Sequence, residues 1–213
     1  YITSLPKDWV EQYKEKEIAV AIETDNTIRL IPKSYLTKHR EVTIDLDLYK
    51  DSRIIEYQIL TYYMQGAEKI TVTSKESIDI NLKRKLKDLL NELIGADITD
   101  ERANTLTYEI LIKVDEYKIN EIIEKINKFI DDIHKDTVTA INNLNKQLAT
   151  EISERVKDGI KKYRLIIRQI AIASYNPILA RKIGINYTKE LIVYGLVASY
   201  LNRIIYHISS VNN

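Results

Sequence analysis

The sequence predicts a mainly α-helical α+β protein built from three successive parts. Residues 1–33 show the short period of a β-hairpin, and residues 40–114 alternate short β-rich runs with helical ones. Residues 115–213 repeat apolar side chains every three to four positions, which is the period of helices that pack on one another. We therefore expect an N-terminal β-hairpin segment, a small α/β subdomain and a C-terminal antiparallel helical bundle.

The first part contains two candidate strands. Residues 18–22 and 27–31 are rich in β-branched side chains and flank Asp25-Asn26, a pair typical of a tight turn. Pro32 then ends the second strand. A short helical turn that begins near Pro6 precedes the hairpin.

The middle part predicts the order β-α-β-α-β-β. Its first helix has Asp51 or Ser52 as N-cap and ends at Gly66, and its second helix carries a leucine stripe that ends at Gly95. The candidate strands are residues 42–46, 69–73, 97–99 and 106–112. This order suits a small sheet with helices packed on one side.

The last part predicts long helices. One isoleucine-rich stripe continues from Ile119 to Leu148, a second covers residues 152–170, and a third covers residues 191–208. Asn176-Pro177 and Gly184 interrupt the pattern. Short connections between long helices make neighbours antiparallel, as in a bundle.

Composition limits the classes of function. The chain has 213 residues, 45% of them hydrophobic and 30% charged, as in ordinary folded proteins. The 32 basic and 31 acidic residues give no overall field that attracts nucleic acid or membranes. With no cysteine, thiol catalysis and thiolate metal sites are excluded, and a reducing, cytoplasmic location is favoured.

Two further classes are not expected. The apolar run at residues 191–201 has eleven residues, whereas a membrane span needs about 20, so we predict a core helix and no membrane span. The sequence shows no Gly-rich phosphate loop, nucleophile elbow or paired-histidine motif. We therefore predict that the protein is not an enzyme.

Several segments resemble known families. Tyr1-Ile2-Thr3-Ser4-Leu5-Pro6-Lys7-Asp8-Trp9-Val10, with Arg29-Leu30-Ile31-Pro32, resembles an AbrB-type swapped-hairpin domain. The stretch from Glu154-Arg155 to Arg168-Gln169-Ile170 resembles the second helix of a PhoU domain, and residues 93–98 and 198–204 are similar to recurrent PhoU segments. Archaeal proteins that fuse an AbrB-type domain to PhoU have these segments in the same order.

The resemblance implies a regulator of phosphate uptake or of phosphate-responsive transcription. It implies a DNA-binding N-terminal head and a helical sensing bundle. Because AbrB-type domains interleave strands from two chains, it also implies a homodimer, whose interface would include Leu5, Trp9, Ile28 and Leu30. The first strand and the basic loop of such a head would precede Tyr1.

Metal binding, common in PhoU bundles, is less well supported here. The family's paired acids fall at Val156 and Ile160 on one helix and at Asn202 and Tyr206 on another, and none of these is acidic. Asp136 aligns with a family acid, and Asp132 lies one helical turn before it. These two are the candidate ligands for a divalent metal or iron, and solvated surface acids are the alternative interpretation.

DNA binding has few visible cations to support it. Residues 1–33 contain five Lys or Arg residues and six Asp or Glu residues, a net charge that is poor for contact with phosphates. Lys7 and Arg29 are the best candidates. The alternative function is that of a non-enzymatic protein–protein adaptor that has lost metal and DNA binding.

Overall fold

The structure of the chain is a computed structural model, which describes residues 4–14, 17–23, 26–37, 40–49 and 51–212. Residues 1–3 of the AbrB-like segment and Asp25 of the predicted turn lie outside this part. Within it, the protein is mixed α+β and mainly helical, with a small sheet and a C-terminal helical region. The predicted fold class is confirmed at this level.

The N-terminal segment contains a short helix, α1 (Lys7–Tyr13), and a hairpin of β1 (Ile18–Ile22) and β2 (Ile28–Pro32), followed by α2 (Lys33–Thr37). The strands are antiparallel, and Ile22 lies opposite Ile28. The predicted hairpin is confirmed, and Pro32 is its last residue.

A four-stranded sheet and two helices form the middle of the chain. In chain order they are β3 (Glu41–Asp45), α3 (Ser52–Met64), β4 (Lys69–Thr73), α4 (Ile80–Asp88), β5 (Ala96–Arg102) and β6 (Thr105–Ile110). The strand order in the sheet is β3-β4-β6-β5, with β3 and β4 parallel and the other pairs antiparallel. The predicted order of elements is therefore the observed one.

Local signals set the ends of α3 and α4. Asp51 accepts a hydrogen bond from the Arg53 backbone N–H at 2.9 Å, and Asp79 caps α4 in the same way. Gly66 follows α3 with a φ of 93°, a left-handed value that glycine adopts without steric cost.

The hydrophobic core of this region lies between the sheet and the two helices. Ile70 and Val72 of β4 are fully buried together with Ile59 of α3 and Leu86 of α4. Tyr108 of β6 is also fully buried, and its hydroxyl donates to the Leu86 carbonyl at 2.7 Å. Each strand thus presents one apolar face to the helices.

Four helices form the C-terminal region: α5 (Ile119–Asn142), α6 (Lys146–Tyr175), α7 (Pro177–Lys182) and α8 (Thr188–Asn212). The three long helices share one hydrophobic core, which includes Ile126, Ile152 and Ile205. The side chain of Asn176 caps α7 by accepting from the Leu179 N–H at 3.0 Å, which confirms the break predicted at Asn176-Pro177.

The boundary between α5 and α6 differs from the prediction. The isoleucine stripe was expected to continue to Leu148, but α5 ends at Asn142 and Leu144 has a positive φ of 48°. The Asn145 side chain caps α6 by accepting from the Leu148 N–H at 3.1 Å. Leu144 is consequently 87% exposed and is not a core residue. Local capping overrides apolar spacing here.

Helix α8 is long and apolar enough, by length and composition alone, to cross a membrane. Only 17% of its most apolar 18-residue window is buried. Core helices of water-soluble proteins can pass the same test. The absence of a membrane span therefore stays a prediction.

Candidate functional site

The hairpin has two chemically different faces. Residues directly opposite each other in an antiparallel pair lie on the same face of the sheet, and successive residues alternate between faces. The pairs Ile18–Pro32, Val20–Leu30 and Ile22–Ile28 therefore share one face, which carries no polar side chain. We call these six residues the apolar hairpin face.

The half of this face nearest the turn is open to solvent, whereas Ile18 and Leu30 are partly buried and Pro32 is buried. Val20 and Ile22 are each 58% exposed, and Ile28 is 65% exposed. The opposite face is packed, since Ala21 and Ile31 are buried. Within the described part of the chain the hairpin is a sheet of two strands with free edges. Such a ribbon is marginally stable in water by itself, so an apolar face with free edges is a candidate interface.

The other two residues predicted for the dimer interface lie at α1. Trp9 and Leu5 are half-buried. The Trp9 ring packs on Tyr13 of the same helix, with ring centres 5.2 Å apart. The structure therefore places Ile28 and Leu30 together on the apolar hairpin face, and Trp9 in a contact within its own helix. A role of Trp9 or Leu5 in a dimer stays a prediction.

The candidate DNA-binding cations lie on different elements, Lys7 on α1 and Arg29 on β2. Lys7 forms an exposed ion pair with Glu11 at 3.6 Å. Arg29 lies on the face of β2 opposite Ile28 and Leu30, beside a cleft of about 50 Å³ that Glu23 also lines. The pair with Glu11 thus offsets part of the positive charge of Lys7, on which contact with phosphates depends.

A third cation at the hairpin, Lys33, also forms an ion pair. Lys33, at the start of α2, pairs with Glu17 just before β1. Their hydrogen bond and mutual attraction raise the pKa of Lys33 and lower the pKa of Glu17. Both groups are exposed, so salt screens the attraction.

The candidate metal ligands Asp132 and Asp136 lie one turn apart on α5. Asp136 accepts a hydrogen bond from the Arg155 guanidinium of α6 at 2.6 Å, whereas Asp132 is exposed. In the described part of the chain, no group of three or more His, Asp or Glu side chains is placed to hold a metal ion. Val156, where the family carries an acid, is buried in the bundle core. Metal binding at Asp132 and Asp136 stays a prediction.

Two buried polar side chains join α6 to the end of α3 and to the segment before α5. Arg168 of α6 is 1% exposed, and its guanidinium donates to the carbonyls of Tyr63 and Ala67 at 2.8 and 2.7 Å. The Tyr63 carbonyl is in the last turn of α3 and the Ala67 carbonyl lies just after it, at the negative end of the helix dipole, which favours a cation. Gln169 beside it donates to the carbonyls of Val114 and Tyr117 at 3.0 and 2.8 Å.

Burial dominates the electrostatics of this junction. It lowers the pKa of Arg168 and raises the pKa of Tyr63 to about 12. The guanidinium carbon of Arg168 lies 5.1 Å from the centre of the Tyr63 ring, so the ring face gives the buried cation a second favourable neighbour. The partners of Arg168 are thus two uncharged carbonyl oxygens and an aromatic ring. This arrangement holds α6 and α3 together.

A cavity of about 360 Å³ lies near this junction, between α2, the start of β3, the end of α3 and Tyr175 of α6. The Arg40 guanidinium stacks on the Tyr175 ring at 3.7 Å and donates to the Gln65 carbonyl at 3.2 Å. Tyr35 packs edge-on against Tyr175, and burial raises the pKa of Tyr175. Aromatic walls and a guanidinium can bind planar or anionic groups, and they supply no nucleophile with an adjacent base.

Arg168 and Gln169 belong to the PhoU-like stretch of the sequence, whereas no sequence pattern indicates Arg40 or Tyr175. A signal for Arg168 was present, because it follows Leu165 by three residues and precedes Ile172 by four. Both neighbours are buried, so helical spacing puts Arg168 on the buried side. Arg40 and Tyr175 are 135 positions apart, and only the fold brings them together.

Comparison of the chain with protein-family models, with curated proteins and with solved structures finds no match.

Proposed function

We propose that the chain is a dimeric, non-enzymatic regulator of phosphate uptake or of phosphate-responsive transcription, with the N-terminal hairpin as its dimerising and DNA-binding head. The observation that supports this proposal is the apolar hairpin face, with Val20, Ile22 and Ile28 more than half exposed. It agrees with the swapped-hairpin resemblance, because a second hairpin would cover that face and pair with the free edges.

The dimer half of the proposal is tested by solution mass. We expect Ile28→Glu to halve the mass of the head-mediated dimer in light scattering, because an ionised carboxylate would have to be buried in the interface. One chain has a mass of 24.8 kDa. Leu48→Glu is the matched control, since Leu48 is 72% exposed and lies outside the hairpin. An unchanged mass for Ile28→Glu would refute the head-mediated dimer.

The DNA half is tested by a titration of duplex DNA followed by fluorescence anisotropy at several salt concentrations. If the head binds phosphates, log affinity falls linearly with log salt, by about 0.9 for each phosphate neutralised. The double variant Lys7→Ala/Arg29→Ala should then reduce that slope by about two. Arg84→Ala/Lys85→Ala, at exposed positions on α4, is the control and should leave the slope unchanged.

A second candidate is the protein–protein adaptor. The ion pairs Lys7–Glu11 and Lys33–Glu17 favour it, because they leave the head little free positive charge. In that case the hairpin still forms the dimer, and the same titration shows no DNA binding at low salt. Retention of the dimer with loss of DNA binding therefore separates the adaptor from the transcriptional regulator.

A further inference from the structure

Helix α8 leaves a long apolar stripe uncovered. Seven large side chains on it are between 43% and 70% exposed. They are Ile192, Val193, Leu196, Tyr200, Ile204, Tyr206 and Val211. We call these residues the α8 face.

The α8 face lies on the side of the helix that turns away from the bundle. Ile192, Leu196 and Tyr200 follow one another at four-residue steps, which keeps them on one side of a helix. Ala198, Ile205 and Ile208, on the other side, are buried in the hydrophobic core shared with α5 and α6. One side of α8 is therefore buried against α5 and α6, and the α8 face lies on the other side, outside the core of the bundle.

The composition of α8 is that of a protein interface. From residue 191 to residue 212 the only charged side chain is Arg203, in a chain with 30% charged residues. Cores of protein interfaces are depleted in Lys, Glu and Asp and enriched in aromatic residues and Arg. Tyr200, Arg203 and Tyr206 are residue types that most often dominate binding energy.

The exposed area matches what a stable dimer needs. Large side chains present about 150–250 Å² each, so the seven exposed fractions leave roughly 700 Å² uncovered. The largest apolar patch on a typical monomer is about 300–600 Å². A stable interface buries about 800 Å² on each partner. The α8 face therefore exceeds the usual apolar patch and is close to the area that one partner of a stable interface buries.

We propose that the α8 face is a self-association surface, which packs against the α8 face of a second copy of the chain. A two-fold axis near Tyr200, at the middle of the helix, lets the two stripes run antiparallel and cover each other along their length. This interface lies on α8 and is separate from the apolar hairpin face. It therefore goes beyond the proposed function and does not depend on it.

A membrane is the less favoured occupant. To span a bilayer, α8 would have to withdraw Ala198, Ile205 and Ile208 from the bundle core, and the burial of these apolar side chains stabilises the fold. A helix that lies on a membrane surface carries many Lys or Arg residues on its polar side. Helix α8 has only Lys189 and Arg203.

The absence of cysteine permits a direct test by disulfide cross-linking. In the proposed pair, residues near the two-fold axis lie close to their own copies, within the Cβ separation of about 3.5–4.5 Å that a disulfide needs. We expect at least one of Ser199→Cys, Tyr200→Cys and Arg203→Cys to give a cross-linked dimer under mild oxidation. Lys128→Cys, exposed on α5, is the control. No excess of cross-linked dimer over the control in all three variants would overturn the proposal.

A second experiment separates this interface from the head. Leu196→Glu/Tyr200→Glu changes only exposed residues, so circular dichroism should show an intact fold. We expect light scattering to show a loss of self-association in the Ile28→Glu background, with the dissociation constant raised at least 100-fold, whereas in the native background the head-mediated dimer should remain. The Ile28→Glu variant alone should keep the α8-mediated dimer. If Ile28→Glu alone is fully monomeric, the α8 proposal fails while the proposed head-mediated dimer stands.

Lipid binding is measured on the same variants with vesicles of phosphatidylcholine and phosphatidylglycerol. We expect no co-sedimentation of the native chain. Binding to vesicles that Leu196→Glu/Tyr200→Glu abolishes, together with a monomeric mass for Ile28→Glu without lipid, would assign the α8 face to a membrane and overturn the proposal.

Discussion

At the scale of single residues, the most constrained groups are tyrosines and an arginine that hydrogen-bond to backbone carbonyls. The fully buried Tyr63 donates its hydroxyl proton to the Ile94 carbonyl at 2.9 Å, and its own carbonyl accepts from Arg168. Tyr108 makes a similar bond to Leu86. A buried polar group with a partner contributes modestly to stability, but leaving one without a partner costs about 1–3 kcal/mol. These bonds therefore specify how the elements fit together.

Tyr63 makes the free energy of unfolding depend on pH in the alkaline range. Its pKa is raised to about 12 in the folded state, against 10.0 ordinarily. Below pH 10 both states hold the proton and stability does not change. Between about pH 10 and 12 the unfolded chain loses the proton while the folded protein keeps it, so the free energy of unfolding falls as pH rises, by at most about 1.4 kcal/mol per pH unit for this group.

We therefore expect Tyr63→Phe to reduce the alkaline slope by one proton in urea unfolding measured from pH 9 to pH 12. The variant should also lose about 1 kcal/mol at neutral pH, because the Ile94 carbonyl loses its partner. Tyr57→Phe, on the same helix and 68% exposed, should leave the slope as it is. Equal slopes for both variants would contradict the assignment to Tyr63.

At the scale of elements, α6 is the helix on which the others depend. It packs against α5 and α8, and it places Arg168 at the C-terminal end of α3 and Gln169 at the segment before α5. At Gly159 side chains of α5 and α8 lie close against α6, since a Cβ placed there would lie 2.7 Å from Phe129 and 2.8 Å from Ile205. Glycine normally weakens a helix by about 1 kcal/mol relative to alanine. Here its lack of a side chain permits the packing.

A pair of glycine substitutions tests this explanation. We expect Gly159→Ala to destabilise the protein by about 1–3 kcal/mol, because overpacking outweighs the gain in helix propensity. Gly195→Ala on α8 should instead stabilise it by about 0.5–1 kcal/mol, since nothing lies within 4 Å of the added Cβ. Thermal unfolding followed by circular dichroism measures both. Stabilisation by Gly159→Ala would show that Phe129 and Ile205 move aside at little cost.

At the scale of the whole molecule, two hydrophobic clusters meet along α6. One belongs to the sheet with α3 and α4, and the other to the long helices. Ile112 packs against both clusters, and Arg164 adds an ion pair with Glu92 at 2.8 Å. Arg168 and Gln169 then supply four hydrogen bonds to backbone carbonyls across the junction. The two clusters should therefore unfold together.

Loss of Arg168 should weaken that coupling. We expect Arg168→Met to lower the free energy of unfolding by about 1–3 kcal/mol, since the buried Ala67 carbonyl loses the Arg168 donor and the Tyr63 carbonyl keeps only backbone donors such as the Gly66 N–H. Native-state hydrogen exchange should show the amides of α3 opening before those of α5. Arg84→Met, at an exposed site on α4, is the control and should change little. Uniform exchange in Arg168→Met would mean that apolar packing alone couples the clusters.

The sequence by itself determined the order of the strands and of the long helices, although not the break between α5 and α6. Caps such as Asp51 and Asn176, and breaks such as Gly66, act within a few residues, so they can be read locally. The alternation around Ile28 and Leu30 likewise places both on the apolar hairpin face, with Arg29 on the other. Apolar periodicity and helix capping are properties of neighbouring residues. They can therefore be recognised in the sequence without information about the rest of the chain.

Only the tertiary structure decided which surfaces are buried. Helix α8 is apolar almost all round, so its sequence does not say which stripe meets α5 and α6 and which stays uncovered. The same holds for Arg168, whose partners Tyr63 and Ala67 lie about 100 positions earlier, and for the stacking of Arg40 on Tyr175. The physical reason is that burial depends on contacts between segments distant in sequence, and local patterns do not contain that information.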